Sequence, residues 1–147
     1  MVCQRQEQWQ DGIEYLQRLR RLEPQDIVIK LSLAELLLEA HLGDREICRK
    51  VVYLAERVEN ETPIHTALLL YQARALRGLS LPDAAREVLS KALRQKKDRS
   101  EDLLRALCYE RALVYEELGQ RHRARRELEK LYAEAPGYED IAARLGL

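Results

Sequence analysis

Two amphipathic helices joined by a tight turn constrain this chain more than any other feature. Within the stretch around Arg105–Tyr138, Leu104, Leu107, Cys108, Ala112, Tyr115 and Leu118 recur at three- and four-residue steps. Such steps trace one apolar face of an α-helix. Gly119 stops this helix, because glycine adopts the left-handed conformation that closes a helix end. A second face follows with Ala124, Leu128 and Leu131, and Pro136 halts it. So short a connection makes the two helices antiparallel neighbours.

The spacings within this pair recur along the chain. Ala112 to Tyr115 is three residues, Tyr115 to Ala124 nine, Ala124 to Leu128 four and Leu128 to Pro136 eight. Ala73, Leu76, Ala85 and Leu89 repeat the first three intervals, with Lys97 in place of the closing proline. Ala34 to Leu37 is again three and Cys48 to Val52 four, with two extra residues in the turn. Gly12, Leu16 and Pro24 keep only the later intervals, as a second helix without its first. Ala34, Ala73 and Ala112 are therefore spaced 39 and 39 residues apart.

This pattern resembles the tetratricopeptide repeat, in which a small residue, an aromatic, an alanine, a large apolar residue and a proline stand at those intervals. Two positions depart from it: Cys108 stands where tryptophan is usual, and Arg111 where leucine is usual. The resemblance implies an all-α, right-handed α-α superhelix (a solenoid) of about seven helices plus a short C-terminal helix. It makes residues 1–147 a single array: a half unit at 5–24, units at 26–60, 63–97 and 100–136, and a capping stub at 138–145. No unit of such an array buries its apolar face alone, so stacking creates the core.

The resemblance also implies function. First helices of successive units line a groove that holds an extended peptide or a partner helix. Carried over position by position, the groove comprises Leu31, Ser32, Glu35 and Leu38, then Tyr71, Arg74 and Arg77, then Tyr109, Glu110, Leu113 and Glu116. Tyrosine supplies contact area and arginine bidentate pairing, so these residues suit peptide recognition. Family members that grip a C-terminal carboxylate use lysines and asparagines on these helices. Leu31, Glu35 and Tyr71 occupy the corresponding places, so that clamp is not expected.

Local signals mark the helix ends. Asp26, Asp44 and Thr62 are placed to cap helices, Pro63 and Pro82 suit first helical positions, and Ser100 or Asp98 can cap the helix after the polar run Gln95–Ser100. Charged residues make up 34% of the chain at zero formal net charge, so no overall field draws it to nucleic acid or an anionic membrane. No apolar run is long enough to span a bilayer. The N-terminus lacks the apolar core of a signal peptide, which leaves the cytoplasm as the expected location.

No constellation for catalysis stands out, and neither a cofactor nor a metal is expected. There is no phosphate-cradling glycine loop, no His-Glu-x-x-His and no paired Cys-x-x-Cys. His41, His65 and His122 are solitary, and Glu101-Asp102 and Glu116-Glu117 have no nucleophile beside them. Cys48 and Cys108 lie on apolar faces as small core residues, while Cys3 falls at a terminus expected to fray. The basic run Arg121–Arg126 is flanked by glutamates at intrahelical pairing distance, which disfavours nucleic acid as a partner. The expectation is a protein–protein interaction scaffold, or alternatively a self-assembly or regulatory module of a larger signalling or transcription-control protein. For self-assembly, the lone first helix is expected to leave Trp9 and Ile13 on an open flank that supports a homodimer.

Overall fold

The computed structural model describes residues 2–41 and 43–147, with side chains from residue 7 onward. Eight helices and no strand occur among the described residues: α1 Val2–Leu22, α2 Ile27–Ala40, α3 Arg45–Leu54, α4 Pro63–Gly78, α5 Pro82–Leu93, α6 Glu101–Glu117, α7 Arg121–Glu134 and α8 Ile141–Arg144. Each helix packs on the next in sequence, and this includes α3 on α4 and α5 on α6 across their longer loops. In addition α2 packs on α4, and α4 on α6. This is the layout of a helical repeat, with one helix of each pair forming an inner row.

Helix starts follow the expected side chains. Asp26 Oδ1 accepts from the N–H groups of Val28 and Ile29, Asp44 Oδ1 from those of Glu46 and Ile47, and Ser100 Oγ from Leu103. At Thr62 the cap is reciprocal, for His65 Nδ1 accepts from the Thr62 N–H at 3.2 Å. His65 thus completes a capping box, a role its solitary position did not suggest. Gly119 has the expected positive φ of 74°. The first helix begins earlier than expected, and the C-terminal stub is helical over only four residues.

Ala34, Ala73 and Ala112 are all fully buried, so the 39-residue interval marks equivalent close approaches. One apolar cluster runs continuously from Ile13 of α1 to Leu107 and Val114 of α6. A smaller cluster of Ala112, Leu128, Leu131, Ile141 and Leu145 lies on the other side of α6, and Cys108 touches both. The open flank expected at Ile13 does not exist: Ile13 is 2% exposed, because α2 covers that face of α1. Exposed apolar surface on α1 comes instead from Tyr15 and Leu22. The side chain of Cys3 lies outside the described residues. Cys48 and Cys108 are free thiols, and burial pushes both above the ordinary cysteine range.

A polar latch holds the loop after α3. The Asn60 amide donates to the Lys91 and Ala92 carbonyls at the end of α5, both at 3.0 Å. Arg99 reaches back to the Asn60 carbonyl and to the hydroxyl of Thr66, which is fully buried. Three separate segments are thereby joined through groups that would otherwise be unpaired.

Gly78 has a different role from the helix stop that its position suggests. It is the last residue of α4, and the left-handed conformation that follows belongs to Ser80. A β-carbon at Gly78 would lie 2.7 Å from Cys48 Sγ, so glycine is what lets α4 approach α3. Cys48 is 3% exposed, so its sulfur is held among packed neighbours on most sides. Overpacking of this kind costs about 1–3 kcal/mol. At a helix end, alanine recovers less than the ~1 kcal/mol it gains over glycine mid-helix. Gly78→Ala is expected to lower the urea midpoint, and adding Cys48→Ala to recover part of the loss. A single variant as stable as the parent would contradict the close approach.

Candidate functional site

Among the described residues, a cavity of about 710 Å³ opens on the inner row of helices. Its walls come from α2 (Glu35, Leu38, Glu39), α4 (Tyr71, Arg74, Arg77, Gly78) and α6 (Glu110, Glu117). Trp9 of α1, Gly43 in the turn after α2, and Cys48 of α3 complete it. The size falls within the range of pockets that bury a small ligand or a few anchoring side chains.

The sequence-derived groove residues separate into distinct environments. Glu35, Leu38, Tyr71, Arg74, Arg77 and Glu110 line this cavity together. Leu31 packs against the main apolar cluster, and Leu113 is buried at 8% exposure. Tyr109 and Glu116 face the C-terminal helix and the turn before it. Trp9, expected at a self-association flank, stands in the cavity wall. Glu39, Cys48, Gly43 and Glu117 were not expected there. For Glu39 a signal existed, since Glu35 and Glu39 are four residues apart on one helical face.

Charge pairing structures the cavity floor. Glu110, whose side chain is 7% exposed, accepts from Arg74 Nε at 3.1 Å and from Arg77 Nη1 at 2.8 Å. Arg77 also donates through Nε and Nη2 to Glu117 Oε1, at 3.0 and 2.9 Å. Glu110 is therefore a buried bridge between α4 and α6, where a solvent-facing contact was expected. Burial alone would lower the pKa of Arg77, but Glu110 and Glu117 outweigh it and the guanidinium is held above its ordinary value. Arg74 also lies over the ring of Tyr71, with 5.3 Å from its guanidinium carbon to the ring centroid. Burial raises the Tyr71 phenol, Glu35 and then Glu39 add to that, and Arg74 opposes it.

Beyond this floor, α8 is fastened to α6. The Tyr109 hydroxyl donates to Asp140 Oδ1 at 2.5 Å, and its ring meets Tyr138 edge-to-face at 5.9 Å between centroids. Arg144 joins Glu116 at 2.5 Å and Asp140 at 3.0 Å. Asp140 is held below its ordinary 3.8, with the Tyr109 hydroxyl as the main cause; burial opposes it and Arg144 adds to it. A depressed folded-state pKa contributes stability that is present above the ordinary value and lost as pH falls through the folded one. Tyr109→Phe is expected to return Asp140 toward the ordinary carboxylate range and to remove this acid-sensitive contribution to α8 docking. A carboxyl-carbon NMR titration checks it, and an unmoved Asp140 would contradict the assignment.

The basic run on α7 is partly satisfied within its own helix. Arg125 pairs with Glu129 at 3.1 Å, Arg123 donates to Gln120, and Arg123 also lies 5.9 Å from the Tyr115 ring centroid. Among the described residues no group of three or more His, Cys, Asp or Glu side chains is arranged to hold a metal, and no helix is long and apolar enough to cross a membrane.

Residues 103–138 match the family model of the tetratricopeptide repeat. The match spans most of α6, all of α7 and the turn to Tyr138, so the resemblance read from the helix spacings holds there. No curated protein and no solved structure matches the chain.

Proposed function

We propose that this chain is a non-catalytic interaction scaffold or adaptor, cytoplasmic, that docks a peptide or helix of a partner protein in the cavity between α2, α4 and α6. One observation carries the reading: a cavity on a repeat framework that sets two aromatic side chains, Trp9 and Tyr71, and Leu38 among charged residues. Aromatic residues in a desolvated recess are the usual anchors of protein interfaces. The free thiols of Cys48 and Cys108 accord with a reducing compartment.

The test is selection of binders from a random decapeptide library on the full chain, followed by calorimetry. Trp9→Ala with Tyr71→Ala is expected to weaken selected peptides at least about tenfold, which corresponds to ~1.4 kcal/mol. Circular dichroism should report retained helix. Peptides that bind the double variant as tightly as the parent would count against this site.

A second reading, a self-assembly or regulatory module of a larger protein, is favoured by the N-terminal edge. Tyr15 and Leu22 lie seven residues apart on one face of α1 and are 58% and 77% exposed. Under that reading, sedimentation across a concentration range detects a homodimer that Leu22→Glu abolishes. A monomer at every concentration would dismiss it.

A further inference from the structure

The charges around the cavity are unevenly matched. Arg74 and Arg77 are engaged by Glu110 and Glu117. Glu35 and Glu39 are exposed on the α2 wall, and neither makes an ion pair or side-chain hydrogen bond among the described residues. The same cavity is lined by the apolar surface of Trp9, Leu38 and Tyr71.

We propose that the cavity selects a basic segment of a partner protein: a large apolar side chain seats against Trp9, Leu38 and Tyr71, and a neighbouring lysine or arginine reaches Glu35 and Glu39. This rests on the docking reading above and adds the chemistry of the partner. Residues four apart on a helix project side by side, so the two carboxylates present one acidic edge. That both raise the Tyr71 phenol places their field over the anchoring surface. An acidic segment would meet repulsion at this edge. Arg74 and Arg77 already share Glu110, and Arg77 is also paired with Glu117, so their charge is offset within the floor, whereas Glu35 and Glu39 have no such partner among the described residues. The arginines hold the floor together, and the glutamates face whatever enters.

The experiment uses two decapeptide libraries presented to the full chain. In each, one position is restricted to Phe, Leu or Met, with lysine fixed on both sides of it in one library and glutamate in the other. Trp9 is the sole tryptophan and stands in the cavity wall, so its emission reports occupancy in tryptophan-free clones. The lysine library is expected to yield clones that shift this emission and lose at least about tenfold in affinity on E35Q/E39Q, with weaker binding as salt rises. Both substituted positions are exposed, and retained circular dichroism confirms the fold. Emission-shifting binders from the glutamate library alone, or lysine clones indifferent to E35Q/E39Q, would overturn the basic-segment proposal while leaving the docking reading in place. Failure of both libraries to yield any clone that shifts Trp9 emission would overturn both.

Discussion

Glu110→Lys is expected to destabilise this protein by about 3 kcal/mol or more, within the range for breaking a buried ion pair from one side. The carboxylate is the only anion that bridges Arg74 and Arg77, at 3.1 and 2.8 Å among the described residues, and its side chain is 7% exposed. Lysine there would set a third cation against Arg74 and Arg77 between α4 and α6, with Glu117 left to offset only Arg77. Arg74 and Arg77 are 39% and 24% exposed, so water screens part of the repulsion and keeps the loss near the low end of the range. Glu110→Gln keeps the shape and one acceptor, and is expected to lose less, about 1–3 kcal/mol. Urea denaturation separates the two. A Glu110→Lys loss below about 1 kcal/mol would mean that the bridge contributes little.

Leu107→Ala is expected to cost about 2–5 kcal/mol, as deletions of buried leucine do. Leu107 is fully buried and, with Val114, carries the face of α6 that enters the main cluster. The opposite face of α6 belongs to the C-terminal cluster with α7 and α8. Stability in a repeat array is close to a sum of units and the interfaces between neighbours. A cavity at Leu107 therefore weakens the joint between the C-terminal helices and the rest. Hydrogen exchange should show lost protection across α6–α8 before α2–α4. Leu128→Ala lies wholly in the smaller cluster and should leave protection of α2–α4 close to the parent's. Uniform loss along the chain in both variants would show a single cooperative unit instead.

Features set by near neighbours in sequence were readable before the structure. Asp26, Asp44, Thr62 and Ser100 are caps because a side-chain oxygen reaches N–H groups two or three residues on. Alanines at 34, 73 and 112 are buried because helix periodicity repeats at one interval. The spacing could not supply relations across the array. Glu110 occupies a position that faces the groove in the resembling family, and only the arginines 33 and 36 residues earlier turn it into a buried bridge. Gly78 reads as a stop, yet its meaning is the sulfur of Cys48 beside it. On α4, Leu68, Leu69, Leu70, Ala73, Ala75 and Leu76 are all buried, because helices pack on more than one side of it. A helix apolar around most of its circumference marks such a centre, whereas a reading by one face sees only part of it. Ile13 is buried for a related reason, as α2 covers the flank that a lone first helix is expected to leave open.

The cavity as a protein docking site is tested most directly by amide NMR of the full chain titrated with the tightest library-selected peptide. The account predicts that shift changes concentrate at Trp9, at Glu35–Glu39 and at Tyr71–Gly78, while Arg121–Arg126 and the exposed face of α5 remain still. Changes centred on the α7 arginines or on α5, with the cavity residues unmoved, would contradict it.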